Sequence, residues 1–380
     1  MKIVYCIDSI GAGGVEQITV VKANALAEVE GNHVWILYTD LPFPGGFHQP
    51  SDKVIQIDLG IRYRENHLRF PFNIAAYIIK GKRHRKALAS VLKSIGPDVV
   101  ISTSQKERIV IPGIKGDWVK LRELHMLKGW RRNGARSFRD RVLASIVDYY
   151  DYSINLRKYD RVVVLTQSEK EKIWKNDKRF VVIPNPARIR GSRPVLPKHK
   201  SVVAVGRLSH DKNYSSLIRA FRVVSNRFQE WKLAIVGEGR EEESLKNLIS
   251  SLGLNSIVSV PGFIPDLTGV FDKASIFVHT AISEAFGLVI IEAMSHRMPV
   301  VAYDCPYGPG GIIDDGVNGF LVPVGNEDAL VGRICELIED KILRERMADA
   351  AYEKSKLYSI DRVVLLWMDL FKHLKGNTSA

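Results

Sequence analysis

Short apolar runs recur along the whole chain, and most are followed by a turn and then by a stretch with helical spacing. An apolar run of four to eight residues bounded by turn residues is typical of a buried strand, whereas i, i+3, i+4, i+7 spacing indicates an amphipathic helix. Runs that predict strands lie at residues 2–7, 34–38, 97–102, 119–125, 161–165, 181–183, 202–205, 233–236, 258–260, 274–280 and 299–303. The alternation of strands and helices predicts an α/β protein with doubly wound, Rossmann-like parallel sheets.

The length of 380 residues exceeds that of one ordinary domain. Between residues 186 and 200, prolines and basic residues replace the periodic pattern, which is typical of an interdomain linker. We therefore predict a first domain over residues 1–190 and a second over 200–360, followed by a last helix over about 361–375.

One motif, Ser-Glu-Ala-Phe-Gly-Leu-Val-Ile-Ile-Glu-Ala-Met at residues 283–294, lies between two predicted strands. Its glycine and the apolar run after it predict a loop that becomes a short helix, with Glu284 before the helix and Glu292 about two turns into it. The first helix amides favour phosphate. These amides belong to Phe286, Gly287 and Leu288. Carboxylates accept hydrogen bonds from hydroxyls, so a nucleotide-sugar, with central phosphates and hydroxyls at both ends, fits this motif.

Two cations follow the predicted strand at residues 202–205, in the turn Gly-Arg-Leu-Ser-His-Asp-Lys-Asn. Arg207 can hold phosphate in a bidentate manner, and Lys212 can act on it as a point charge. Exposed turn charges are the alternative interpretation of this pair.

A glycine-rich turn, Gly-Ala-Gly-Gly at residues 11–14, follows the first predicted strand. Such a turn lets the backbone approach a ligand closely. The spacing differs from the Gly-x-Gly-x-x-Gly of dinucleotide-binding proteins, which disfavours a dehydrogenase. A turn that serves only close strand–helix packing is the alternative interpretation.

The motif at residues 283–294 and its flanks resemble the signature of retaining GT-B glycosyltransferases, in particular the family 4 group, glycosyl transferases group 1. The resemblance is strong over residues 200–335 and mostly topological over 1–190. It implies two Rossmann-like domains facing a central cleft, with the last helix packed back onto the first domain. One departure is Gly311, where many relatives carry Glu.

The resemblance also implies roles for individual residues. Glu284 would bind the donor hexose hydroxyls and Glu292 the ribose hydroxyls, while Arg207 and Lys212 would hold the diphosphate. His125, which the pattern alone leaves open as a structural histidine, would contact the donor sugar. The remaining donor-binding positions would be Gly13, Gly14, Phe263 and Ile264.

The chemistry implied by the resemblance is sugar transfer with retention of anomeric configuration. No Asp-x-Asp pair ends a predicted strand, so we expect no metal and no cofactor, with electrostatic stabilisation of the leaving diphosphate by the two cations and the helix N-terminus. We predict transfer of a hexose from a nucleotide-sugar, by family frequency a UDP-sugar, to a glycan or lipid-linked saccharide in surface polysaccharide biosynthesis. A nucleotide-sugar epimerase of the same fold and a non-catalytic membrane-anchoring subunit are the alternatives.

Positive charge is concentrated in the first half of the chain. Residues 1–200 carry 36 Lys and Arg against 19 Asp and Glu, a net charge of +17, whereas the remainder carries 19 against 23, a net charge of −4. An anionic membrane surface or a lipid pyrophosphate would suit the basic half. Bases and aromatics mix over residues 60–95 and again over 128–141, with a solvated helix face as the alternative for the first segment. Nucleic-acid motifs are missing there, so we expect no nucleic-acid partner.

The apolar runs also bear on location. No run reaches 18 apolar residues, and the run at residues 2–7 is too short for a signal peptide. The three cysteines are widely spaced, without a Cys-x-x-Cys pair, which favours buried thiols in a reducing compartment. We expect a cytoplasmic protein that associates peripherally with the inner face of the cell membrane.

Overall fold

The computed structural model describes residues 1–11, 14–41, 49–63, 74–103, 106–133, 137–196 and 199–376. The chain divides into two compact units. The first comprises Met1–Pro186 with Val363–Ala380, and the second comprises Ala187–Arg362.

The first unit is built on a seven-stranded sheet in which every paired strand is parallel. Its strands are β1 Lys2–Ile7, β2 His33–Tyr38, β3 Val54–Asp58, β4 Val99–Ser102, β5 Val119–Glu123, β6 Arg161–Val164 and β7 Phe180–Val182. The spatial order β3-β2-β1-β4-β5-β6-β7 places β1 inside the sheet, with the chain winding outward on both sides of it.

Helices connect these strands. They are α1 Gly14–Ala27, α2 Ile74–Ile95, α3 Glu107–Val110, α4 Trp130–Asn133, α5 Phe138–Tyr149 and α6 Gln167–Trp174. Leu88, Val91, Leu92 and Ile95 follow the i, i+3, i+4, i+7 spacing that predicts a core face for α2. Leu88, Leu92 and Ile95 are buried in the core of this unit, with Val91 packed against them. A π-helical segment, Tyr150–Asn155, continues α5.

The second unit has a six-stranded parallel sheet in the order β10-β9-β8-β11-β12-β13. Its strands are β8 Ser201–Val205, β9 Lys232–Val236, β10 Val258–Gly262, β11 Ile276–His279, β12 Val300–Tyr303 and β13 Gly319–Val322. Its helices are α7 Tyr214–Arg227, α8 Glu242–Ser251, α9 Thr268–Phe271, α10 Leu288–Ser295, α11 Glu327–Glu339 and α12 Lys341–Ser355. The two doubly wound sheets confirm the α/β class predicted from the sequence.

The last helix, α13, spans Ile360–Gly376. From Val363 onward it belongs to the first unit. Lys22 Nζ of α1 lies 5.4 Å from the centre of the Trp367 ring, and Lys375 Nζ lies 2.9 Å from Asp98 Oδ1. These contacts fix α13 on the first sheet. Within the described ranges, no helix combines the length and apolar composition that a bilayer crossing requires.

Candidate active site

The loops that follow β8, β11 and β12 meet at one edge of the second sheet, because parallel strands share one carboxyl-terminal edge. A short 3-10 turn, His210–Lys212, ends the loop after β8. Thr280 Oγ1 donates a hydrogen bond to the Lys212 carbonyl at 3.0 Å, and the Ile282 amide donates to the Asp211 carbonyl at 2.9 Å. These bonds hold the loop after β11 against the lysine turn.

Lys212 and His279 surround the carboxylate of Glu284. Lys212 Nζ lies 2.5 Å from Glu284 Oε2, and His279 Nε2 lies 3.4 Å from the same oxygen. Burial alone would raise the pKa of Glu284, but His279 and Lys212 outweigh it and lower the pKa to about 2. Burial lowers the pKa of His279. At neutral pH the cluster therefore contains an ionised Glu284 beside a cationic Lys212 and a neutral His279.

Close packing around the start of α10 requires glycine at two positions, one directly before the helix and one in the loop after β12. Gly287, immediately before the helix, has φ +103°, a conformation that side chains other than glycine rarely adopt. A Cβ on Gly308 would lie 2.8 Å from the Glu284 carbonyl oxygen and 2.9 Å from that of Phe286. Phe286 itself is buried against Tyr358, with ring centres 5.9 Å apart. The loop from Glu284 to Phe286 is thus held in place by close packing against Gly308 and Tyr358.

Glu292 lies on α10 in an environment unlike that of Glu284. Its burial raises the pKa of Glu292 to about 7, with the charge of Arg188 acting in the opposite direction. Among the described residues, none forms a hydrogen bond or an ion pair with this carboxyl group. A half-buried acid without such a partner can accept hydrogen bonds from ligand hydroxyls.

Arg207 differs from Lys212 in its surroundings. The Arg207 side chain is 73% exposed, and its polar contacts are with Ser209 and Asp211 of its own turn. The backbone of Gly237 packs directly against the start of this turn, since a Cβ on Gly237 would lie only 1.9 Å from the Gly206 carbonyl oxygen. The structure thus brings Lys212 into the half-buried cluster with Glu284 and His279 and leaves the Arg207 guanidinium at the surface.

The other predicted donor-binding residues of the second unit lie at the end of β10. Phe263 follows the strand directly and is exposed, and Ile264 is half-buried. The Gly237 amide donates to the Gly262 carbonyl at 2.9 Å, which joins this end of β10 to the loop after β9. Gly311 ends a 3-10 turn, and its carbonyl oxygen lies 3.4 Å from the Tyr358 hydroxyl.

His125 of the first unit lies two residues beyond β5, with its side chain only 4% exposed. Its Nε2 lies 3.1 Å from Glu123 Oε2, and Glu123 pairs with the buried Lys22 of α1. Burial lowers the pKa of His125 despite the nearby carboxylate, so the imidazole is neutral at neutral pH. Gly14 begins α1 with open space around the position of a Cβ. Gly13 lies outside the described residues.

Three residues near the predicted site residues were not predicted from the sequence. His279 ends a strand that reads as wholly apolar until its last residue, and that terminal position was the available signal. Glu123 and Lys22 are far apart in sequence, so nothing in the local pattern pairs them. The described residues contain no group of three or more His, Cys, Asp or Glu arranged to hold a metal ion.

The second unit also matches a known protein family. Residues 187–354 match the family described as "Glycosyl transferases group 1". The second unit is therefore similar to the glycosyl transferases of group 1. Its match covers every element that carries the Glu284 cluster, from β8 to the turn at Gly311.

Two sequence relatives extend the comparison. An uncharacterized glycosyltransferase of Haemophilus influenzae is 28% identical over 375 residues, which cover 96% of this chain and 98% of the relative. A poly(glycerol-phosphate) alpha-glucosyltransferase of Bacillus subtilis is 31% identical over 170 residues, covering 45% of this chain and 25% of that protein. The first match spans nearly the whole chain, and the second spans less than half of it.

A solved structure supports the fold. A mutant of S. aureus TarM, in complex with fondaparinux, alpha-GlcNAc-glycerol and UDP, has a TM-score of 0.73 and 16% identity, covering 97% of this chain and 99% of that one. The predicted GT-B architecture of two Rossmann-like units, with sheets of seven and six strands, is confirmed.

This site therefore combines a fixed negative charge, a cation in contact with it and a helix N-terminus preceded by a glycine with a positive φ. Such a set can hold hydroxyls and phosphate at the same time, because carboxylates accept from hydroxyls while cations and free amides bind phosphate.

Proposed function

We propose that this chain is a retaining, metal-independent hexosyltransferase. It moves a hexose from a UDP-sugar to a glycan or lipid-linked saccharide in surface polysaccharide biosynthesis, in the cytoplasm at the inner face of the cell membrane. The observation that carries the proposal is the cluster of Glu284, Lys212 and His279 beside the start of α10.

The proposed donor contacts follow from charge and burial. Glu284 is held ionised by its neighbours, so it can accept hydrogen bonds from the hexose hydroxyls. Glu292, which has no polar partner among the described residues, accepts from the ribose hydroxyls. Lys212 and the exposed Arg207 bind the diphosphate, and the first amides of α10 add to the positive potential there. Phe263 and Ile264 border the base, and His125 contacts the hexose.

The reaction breaks the bond between the anomeric carbon and the phosphate oxygen and forms one to the acceptor oxygen. The acceptor attacks from the face that the diphosphate leaves, and its proton passes to the departing phosphate. In this proposal Lys212 and Arg207 balance the negative charge that grows on the diphosphate, and a preorganised cationic site is the main source of rate acceleration.

The relatives bear on the choice of donor and acceptor. The TarM complex contains UDP and alpha-GlcNAc-glycerol, and the Bacillus subtilis relative is named for glucosyl transfer to poly(glycerol-phosphate). The UDP of the TarM complex favours a UDP-sugar donor for this chain, and the name of the Bacillus subtilis relative favours a polymeric acceptor.

The test begins with thermal unfolding in a panel of UDP- and GDP-sugars. A ligand present at a hundred times its dissociation constant stabilises the fold by about 2.7 kcal/mol. The selected donor is then incubated with saccharide acceptors in the presence of EDTA, and the anomeric configuration of the product is read by nuclear magnetic resonance.

We expect transfer with retention in EDTA, and Glu292→Ala should weaken donor binding more than about tenfold. An inverted product or a loss of activity that Mg²⁺ restores would contradict the mechanism. A changed nucleotide-sugar released without acceptor would instead identify an epimerase.

A further inference from the structure

Helix α5 presents an apolar face to solvent. Every residue from Phe138 to Tyr149 is exposed or half-buried, although the helix contains a continuous set of large apolar side chains. Phe138 is 80% exposed and Ile146 is 59% exposed. We call this set the α5 face; it comprises Phe138, Val142, Leu143, Ile146, Val147 and Tyr149. Apolar helix faces are normally buried in the core, and an exposed one of this size marks an interaction surface.

The C-terminal end of α5 is fixed to the rest of the first unit. Asp151, in the π-helical continuation of α5, is buried and accepts hydrogen bonds from Arg122 at 2.6 and 3.0 Å. Arg108 of α3 donates to the same carboxylate, and the Asn155 side chain donates to the Arg108 carbonyl at 2.6 Å. The helix is thus anchored at its end while its apolar side chains remain uncovered.

The charge around the α5 face is positive. Residues 126–150 contain six Lys and Arg against two Asp. One of those acids, Asp148, is neutralised by Arg131 at 2.5 Å. Arg132, Arg139 and Arg141 are exposed, and none of them forms an ion pair with a residue that the structure describes.

The aromatic side chains are placed at the two ends of the helix. Phe138 and Tyr149 are eleven residues apart and lie on the same side, about 16 Å apart along the axis. Aromatic rings and flanking arginines are characteristic of helices that lie in the plane of a membrane interface. A second copy of the chain, docked face to face, would instead bring the same cations together, which is unfavourable.

We propose that the α5 face docks the first unit on an anionic lipid bilayer, with Phe138 and Tyr149 in the headgroup region and the arginines on lipid phosphates. This inference rests on the membrane location included in the proposed function and assigns it to one element. It places the contact on α5 instead of the basic segment over residues 60–95.

The test is sedimentation of the full chain with vesicles of phosphatidylglycerol and phosphatidylcholine, and with pure phosphatidylcholine, at low and high salt. One variant removes apolar area, Leu143→Ser with Ile146→Ser, and its control is Ile342→Ser, an isoleucine of α12 that is 81% exposed. Another removes charge, Arg139→Gln with Arg141→Gln, and its control is Arg222→Gln, an exposed arginine of α7. Circular dichroism verifies that each variant is folded.

We expect the wild type to bind anionic vesicles at low salt and to dissociate at high salt. Each arginine removed should weaken binding roughly fivefold, the serine pair should weaken it further, and both controls should bind as the wild type does. Equal binding by the wild type and the α5 variants, or no binding at low salt, would overturn the proposal.

Sedimentation equilibrium tests whether a second copy of the chain, instead of a bilayer, covers the α5 face. A wild-type dimer that the serine pair converts to a monomer, without vesicle binding, would assign the α5 face to a second copy and overturn the proposal. Sugar transfer to a soluble acceptor is measured in parallel without vesicles. Loss of vesicle binding with transfer intact refutes only the docking, whereas absent transfer with vesicle binding intact refutes only the enzymatic proposal.

Discussion

The carboxyl group of Glu292 should make donor affinity depend on pH. Its pKa is raised to about 7 by burial, and the ionised form is the better acceptor for ribose hydroxyls. The donor therefore binds preferentially to the deprotonated protein. Affinity is full above the raised pKa and falls as the pH drops below it, by about tenfold between pH 8 and pH 6, or about 1.4 kcal/mol.

The assay is isothermal titration calorimetry with the UDP-sugar selected by thermal unfolding, across this pH range and in two buffers of different ionisation enthalpy. Binding should release close to one proton at about pH 6 and almost none at about pH 8. The control is Glu292→Gln, which keeps the shape of the side chain but cannot ionise. This variant should bind weakly at every pH, without proton release.

Two results would refute this reasoning. A pH-independent affinity in the wild type would mean that Glu292 is not in contact with the donor or is not titrating near neutrality. A Glu292→Gln variant that keeps the wild-type pH dependence would place the titrating group elsewhere, since the variant has lost this one.

Three further predictions concern the site and its scaffold. Glu284→Gln should lower kcat/KM about 10- to 100-fold by initial rates, because a charged hydrogen-bond acceptor is lost and Lys212 is left without its counter-ion; an unchanged rate would contradict the role of Glu284. Gly308→Ala should lower the free energy of unfolding in urea by about 1–3 kcal/mol, because its Cβ clashes with backbone oxygens; an unaltered midpoint would contradict that packing. Asp151→Asn should lower the free energy of unfolding in urea by about 3–5 kcal/mol, because buried arginines lose their counter-ion, whereas Glu345→Gln, at a partly exposed ion pair, should lower it by less than about 1 kcal/mol; similar losses for both would contradict the role of Asp151.

Much of the fold could be predicted from the local spacing of apolar residues. The spacing of Leu217, Ile218 and Phe221 along the sequence predicts one apolar helix face, and all three side chains of α7 are fully buried in the core of the second unit. The start of α10 was likewise predictable, because a glycine directly before an apolar run with helical spacing is typical of a loop that becomes a helix. Patterns of this kind involve only residues that are close in sequence, so they can be recognised without knowing the tertiary contacts.

The parts that the sequence could not provide depend on long-range pairing. Lys22 and Glu123 come from a helix and a strand about a hundred residues apart, and their ion pair appears only when β5 is assembled beside β4 and β1. The α5 face was equally hidden. Its spacing is that of a core helix, and only the tertiary structure leaves Ile146 in solvent.

The two glutamates of one motif illustrate why residue identity alone underdetermines chemistry. Glu284 and Glu292 have the same intrinsic pKa, yet Lys212 and His279 lower the first while burial raises the second. The Glu284 carboxylate is therefore a permanent charge, and the lysine that stabilises it is also the proposed phosphate ligand. If a diphosphate shares Lys212, the attraction between Lys212 and Glu284 weakens, and the hexose hydroxyls must supply the hydrogen bonds that keep Glu284 ionised. Diphosphate and hexose should consequently bind more tightly as one molecule than the sum of the two fragments predicts.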